Sequence, residues 1–407
     1  MNFTLKLFLK SLFLLFVLLL NFVFLASIVN GKLSNSNPFK QEIPTDNLWF
    51  YDVISFDPNK VELPITNTSV IIAIIDSGFN YSLDSLSKNT FKNTKEIPEN
   101  QIDDDLNGYI DDYLGFDFVT NSSIDPLGLS YTSHSTFISH LLGGLNNTNK
   151  KVVGMLPNVS LLNVRILDSN NEIPKNNWTL VTDSLRYAIK MKSNIILLSS
   201  EFLADPPNEV KKAFEEVKQA DITLVTIAGN SNSKVKSYPA LLEWSITVGA
   251  IEKALNSESF IHSDYSNVGT AVDIVAPGTD ISSYNINGKL ISNTGTSFAA
   301  PFVAGTAAWI KIIDNSLSSS QIKDIIVNTA TPTGDCYSNG AGILNVTYAL
   351  LATLGEKPLD ENSDAIKANC TEKPLLDDIN ISAFDSELLP FLYLAILPIG
   401  KKYKKFD

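Results

Sequence analysis

Only two of the 407 residues are cysteines, Cys336 and Cys370, and both lie near the C-terminus. A structural metal site needs more ligands than these two thiols and their surroundings offer. In an exported chain they form one disulfide closing a late loop, or they stay two unrelated thiols; separation along the chain does not choose between the two. Arginine is nearly missing: Arg165 and Arg186 are the only ones among 31 basic residues, against 44 acidic ones, for a formal net charge of -13. Phosphate backbones are bound by clustered Lys and Arg, so this balance argues against a nucleic-acid partner and suits divalent cations. Histidine is scarce too, with His134, His140 and His262 alone, which leaves few candidates for acid–base work near neutral pH. No internal repeat is found. Apolar residues are plentiful, at 44% against 18% charged, which excludes disorder and suffices for one large core or two smaller ones.

The first residues do not belong to the fold. Lys6 and Lys10 precede an unbroken apolar stretch from Ser11 to Val29 (SLFLLFVLLLNFVFLASIV), and Val29-Asn30-Gly31 provides an exit of the kind a signal peptidase cuts. This predicts a secretory signal over 1–31, or an uncleaved membrane anchor, since the stretch is long enough to span. Either way the remainder is exported, secreted or held at the cell surface. Residues 32–69, with Pro38, Pro44, Pro58 and Pro64, read as an extended lead-in too short to hold a separately folding prodomain.

At Val70 the character changes. VIIAIID (Val70 to Asp76) is short, β-branched and apolar on successive residues, as a strand buried on both faces of a parallel sheet must be. Similar runs recur at Val159–Leu167, Asn194–Ser200, Ile222–Gly229, Ser245–Ile251 and Val272–Gly278, with helix-like stretches at Thr179–Lys192 and Pro207–Ala220. The alternation predicts an α/β fold over 70–355, a doubly wound, mainly parallel sheet with helices on both faces. Working groups in such sheets lie at the C-terminal ends of strands. Two further helices, Ser135–Leu145 and Ser297–Ile313, are apolar nearly all round and so belong in the core. A polar linker (356–387) and a short apolar segment with a basic end (388–407) follow. Pro390 and Pro398 and the shortness of that segment rule out a regular transmembrane helix; it reads as a cell-surface sorting tail or as a docking segment.

Four residues stand where chemistry is done. Asp76 ends the first buried strand, where an unmet carboxylate costs several kcal/mol, although an Asp before Ser-Gly is also an ordinary turn cap. His134 precedes an apolar helix and can project into a cleft, whereas His140, within that helix, reads as a packing histidine. Ser297 opens the second apolar helix in GTSFAAP, where free N–H groups and a partial positive charge suit an oxyanion beside the hydroxyl; a plain N-cap serine would look similar. Asn230, in TIAGN at a strand end, carries an amide able to donate to that oxyanion, while Gly-Asn is also a common turn.

Asp, His, Asn and Ser in this order, with IIDSG, HST, VVGMLPNVSLLNVRIL, AGN, YPALLEWSITVGA, YSNVGTAVDIVAPGTDI, GTSFAAP and SNGAGILN, resemble the subtilisin-like serine protease family from about Leu48 to Leu354. The order Asp…His…Ser is that of subtilisin. The resemblance implies an endopeptidase acting on protein or peptide substrates, with Asp76, His134 and Ser297 as triad and Asn230 in the oxyanion hole. It also implies a substrate-binding edge formed by Ser199, Ser200, Glu201 and Gly229. Departures from the family pattern are Ser135 and Phe137 beside the histidine, Phe302 after the helix proline, and Glu201 where the family carries glycine. The last bears on specificity, narrowing the cleft or favouring basic substrates. Two rivals remain: a protease-like binding protein without turnover, and a peptide ligase or processing protease using the same acyl-enzyme.

Between Asp76 and His134 lies NQIDDDLNGYIDDYLGFDF (Asn100 to Phe118). Asp103, Asp105 and Asn107 alternate, Gly108 turns the chain, and Asp111 and Asp112 return two more carboxylates, the way a loop wraps Ca²⁺. Leu114 stands where an EF-hand carries its last glutamate, so the loop is not a complete EF-hand. Comparable insertions in subtilisin-like proteases bind calcium, which the resemblance extends to these five residues; the alternative is a solvated acidic loop.

Overall fold

Strand β1 (Ile71–Asp76) has no polar alternation because both of its faces are covered. Ile72 and Ile74 point into one apolar core, and Ala73 and Ile75 into another on the opposite side, as the period of two along a strand requires. The same division runs through β5 (Ile195–Leu198): Ile195 and Leu197 face the first core, Ile196 and Leu198 the second. This computed structural model describes residues 48–57, 70–125, 132–145, 151–174, 177–202, 205–255 and 259–356. Every described residue belongs to the unit Thr45–Asp407. The expected signal or anchor, most of the linker, the terminal apolar segment and Cys370 lie outside the described residues. Cys336 is disulfide-bonded.

The remaining strands of the main sheet are β2 (Gly115–Asp117), β3 (Ser122–Ser123), β4 (Ser160–Arg165), β6 (Thr223–Ile227), β7 (Ile246–Lys253), β8 (Phe260–His262) and β9 (Ile274–Pro277). Their order is β3-β2-β4-β1-β5-β6-β7-β8, with β9 also paired to β7. Pairing is parallel except for β3 on β2 and β8 on β7. From β1 the chain goes out to β2 and β3 and returns through β4 to lie against one side of β1, then crosses to β5 on the other. The sheet therefore switches direction about β1, and at such a point a crevice opens beyond the strands' C-terminal ends.

Helices Trp178–Lys190 and Asn208–Gln219 cover the face holding Ala73 and Ile75. Helices Ser133–Gly143, Thr296–Ile313 and Val346–Thr353 cover the other. Thr296–Ile313 is apolar and long enough to cross a membrane, but every residue of it is buried in protein. The expected doubly wound α/β architecture is present. The lead-in differs from expectation within its length: Trp49–Val53 is helical, with Trp49, Phe50 and Tyr51 buried and the Phe50 ring tilted against Phe302 at 5.6 Å. A hairpin of β10 (Ile281–Tyr284) and β11 (Leu290–Asn293) leads towards Thr296.

Candidate active site

The crevice gathers residues that are far apart in the chain. Asp76, at the end of β1, is fully buried. Its Oδ1 accepts from His134 Nδ1 at 2.8 Å and from the Ser77 N–H at 2.6 Å. A carboxylate only accepts, so Nδ1 carries the ring proton and Nε2 is left as the basic nitrogen. His134 is the second residue of helix Ser133–Gly143, which begins two residues earlier than the sequence suggested and so includes the histidine. Thr132 caps that helix, accepting from His134 N at 3.3 Å and sharing a 2.8 Å hydrogen bond with Ser77 Oγ. The strand end and the helix start are thus tied together beside the Asp–His pair. Phe298 packs against the imidazole at 5.4 Å, and Phe137, the family departure, packs on Phe298 at 4.8 Å.

Burial pushes the His134 imidazole down, but the charge of Asp76 and its hydrogen bond outweigh burial and hold the ring above the ordinary histidine value. His140 is a core histidine as expected. Its Nδ1 donates to Thr136 O at 3.0 Å, and its Nε2 meets Ser85 Oγ at 2.7 Å. His262 lies at the sheet edge on Asn339 and Ser266.

Ser297 occupies the first turn of Thr296–Ile313, where its N–H has no intrahelical acceptor. Its Oγ donates to Ser199 O at 3.3 Å, and among the described residues no hydrogen bond joins it to His134. Asn230 is exposed at the cleft. Its Oδ1 is held by Thr296 N at 2.8 Å and by Thr296 Oγ1 at 2.9 Å, so its two Nδ2 protons remain to donate. Beside that Nδ2 stands Gly295, at φ +154°; a Cβ there would lie 3.7 Å from it.

Ser199, Ser200, Glu201 and Gly229, expected at a substrate edge, follow β5 and β6 where these two strands end side by side. Ser199 is buried and Ser200 half-buried. Glu201 turns its carboxylate onto the backbone of Gly229: a Cβ on Gly229 would meet Glu201 Oε2 at 2.4 Å, and φ there is +99°. Ser237 Oγ donates to the same Oε2 at 2.9 Å. Thr132, Ser77, Thr296 and Ser237 were not singled out from the sequence. The hydroxyl two positions before His134 was a readable cap signal; the partnership of Ser237 with Glu201 had none.

The acidic loop folds around a separate cluster. Carboxylate oxygens of Glu96, Asp105 and Asp112 lie within 4.8 Å of one another. Glu96 is 4% exposed, and its Oε2 is buried with no hydrogen-bond partner. Asp105 and Asp112 were expected here; Glu96, which lies before the loop, was not. Asp103 instead accepts from the Asn107 and Gly108 N–H groups, and Asp111 from those of Asn100 and Gln101. Asn107 Nδ2 donates to Asp112 at 3.0 Å. Burial raises Glu96, opposed by the Asp105 N–H and reinforced by the neighbouring carboxylates; burial likewise raises Asp112 against the hydrogen bonds from Tyr187, Asn93 and Asn107. An orphaned buried oxygen facing two further carboxylates fits an oxygen-loving divalent cation.

The sequence model of the subtilase family matches residues 67–348. Subtilisin DY of Bacillus licheniformis is 32% identical over 58% of this chain and 82% of its own length. Subtilisin NAT of Bacillus subtilis subsp. natto is 30% identical over 54% of the chain and 56% of its own length, so the chain spans about half of that relative. The solved structure of the prenylagaramide maturation protease PagA aligns with 76% of this chain and 98% of its own, at a TM-score of 0.55 and 21% identity, a likeness of fold. With the Asp–His pair, the helix-borne serine and the sheet order in agreement with that match, the chain belongs to the subtilase family of serine proteases.

Proposed function

We propose that this protein is an exported endopeptidase that cleaves protein or peptide chains through an acyl-enzyme on Ser297. The observation that carries the reading is the 2.8 Å Asp76–His134 hydrogen bond, which fixes the tautomer whose Nε2 is free to take a proton. Ser297 Oγ leaves the Ser199 carbonyl and attacks the scissile carbonyl carbon as its proton passes to His134 Nε2. Asp76 holds the imidazolium that forms. The oxyanion is met by the Ser297 N–H and Asn230 Nδ2, a side-chain donor that supplies about 10²–10³-fold in kcat in a subtilisin. Collapse breaks the C–N bond, and His134 returns the proton to the departing amine. Water then adds to the ester, gives its proton to His134, and the acid leaves as Ser297 regains its hydrogen. Export rests on the charged start and apolar run of the first thirty residues.

Calcium is the second part of the reading. Glu96, Asp105 and Asp112 would hold Ca²⁺, with Asp103, Asn107 and Asp111 shaping the loop around it. The ion supplies charge neutralisation that pins the loop, and the acyl transfer takes no step through it.

Hydrolysis of casein and of a peptide mixture by the full chain in calcium, beside Ser297→Ala, tests the endopeptidase. Cleavage abolished by Ser297→Ala, together with fluorophosphonate labelling of the unaltered chain, is the expected result. A folded chain that neither cleaves nor labels overturns it in favour of a binding protein. Product transfer to an added amine in place of hydrolysis would move the assignment to a ligase.

A further inference from the structure

We infer that Glu201 makes the cleft a receptor for a cationic side chain, so that the chain cuts after lysine or arginine. The inference rests on the endopeptidase reading for its consequence, and on geometry for the pocket itself. Glu201 stands two residues beyond Ser199, whose carbonyl touches the nucleophile at 3.3 Å. Its carboxylate lies on Gly229, the residue before the oxyanion donor Asn230. A side chain on the acyl side of the scissile bond, with its carbonyl at Ser297 and Asn230, enters between these two strand ends.

The glutamate is fixed there. Phe202 and Tyr238 exchange backbone hydrogen bonds of 2.7 and 3.2 Å, and Ser237 beside Tyr238 donates to Oε2. Gly229 has no Cβ, and only that absence admits the carboxylate. Yet this half-buried group is poorly compensated. Ser237 is its one hydrogen-bond donor among the described residues, and none of the described lysines, arginines or histidines forms an ion pair with it. Arg186, by contrast, is taken up by Glu209 and Glu216, and Lys323 by Asp273. A carboxylate drawn part-way out of water and left without a cation favours a ligand that brings one. A glutamate serving only to fill the space would select small side chains and be indifferent to charge, and that is the rival outcome.

Two measurements on the full chain in calcium decide it. The first is binding of p-aminobenzamidine, with neutral benzamide as its control, to the unaltered chain and to Glu201→Gln. The second is kcat/KM for matched peptide amides cut after lysine or after leucine. Binding of the amidine but not the amide is expected, weakened about tenfold or more by Glu201→Gln, with a lysine-over-leucine preference that falls by a similar factor. Amidine binding that ignores Glu201→Gln, or an unaltered chain that cuts after leucine or alanine as readily as after lysine, overturns the inference. Both unaltered-chain comparisons stand if the variant does not fold. Glu201-dependent amidine binding in a chain that cleaves nothing and takes no fluorophosphonate keeps the cation pocket and removes the endopeptidase reading instead.

Discussion

At His134 burial and charge oppose each other, and the charge of Asp76 wins. A histidine raised in the folded state stabilises the fold while protonated. That stabilisation is complete below the unfolded value of about 6.5 and is lost as pH rises through the higher folded value. Catalysis needs the opposite form, the free Nε2, so kcat/KM should climb with pH through a midpoint above the ordinary histidine value. Asp76→Asn removes both raising influences and leaves burial. The midpoint should then move down, and kcat should fall by about 10⁴-fold as the tautomer is lost. A pH–rate profile of the variant, whose residual rate is measurable with an activated ester, checks the direction; a midpoint that stays put would place the titrating group elsewhere. Asp76, His134, Asn230 and Ser297 were legible as residues because each stands at a strand end or helix start that the apolar runs announce. The contact of Ser199 O with Ser297 was not, because it joins positions 98 apart in the chain.

Among the elements, the turn after β6 depends on one side chain. Asn267 Nδ2 donates to Ala228 O at 2.9 Å, and its Oδ1 accepts from Ser231 N and Ser233 N at 3.0 Å each. These bonds bracket Asn230 on both sides, so Asn267 is a positioning residue for the oxyanion donor proposed at Asn230. Asn267→Ala leaves a buried carbonyl and two N–H groups to find other partners, a loss of about 1–3 kcal/mol in stability. It should also lower kcat by about tenfold with little change in KM, because the turn that aims Asn230 loosens while the substrate edge at Ser199 remains. A rise in KM that accounts for the whole fall in kcat/KM, with kcat unchanged, would mean that the turn serves ground-state binding instead. The long apolar strands were located from sequence to within a residue or two at most ends, since burial on both faces writes itself as consecutive apolar residues. The hairpin Ile281–Tyr284 and Leu290–Asn293 was not, because ISSY and LISN carry too few apolar residues to announce a strand. Helix Trp49–Val53 was hidden by its polar, proline-bearing surroundings, and only tertiary packing on Phe302 reveals that its aromatics are core.

Across the whole molecule, acidity and stability meet at the loop of Glu96, Asp105 and Asp112. The net charge of -13 already repels itself, and three carboxylates within 4.8 Å concentrate that repulsion against the sheet. Tyr187 of the helix covering the second core donates to Asp112 at 2.8 Å, and Lys190 of the same helix donates to the Asn107 carbonyl. Loop and helix are therefore one unit, and a cation bound in the loop stabilises the core beneath it. At a hundredfold excess of calcium over Kd the gain is about 2.7 kcal/mol, and at about 2–4 °C per kcal/mol chelation should lower Tm by several degrees. Glu96→Gln, which keeps the shape and removes a ligand charge, should shrink the calcium-dependent part of Tm while leaving the Asp76–His134 pair untouched. Thermal unfolding with calcium and with chelator, for the unaltered chain and for Glu96→Gln, checks both. A Tm indifferent to chelation would return the loop to a solvated acidic surface, and equal calcium shifts in both chains would remove Glu96 from the ligand set.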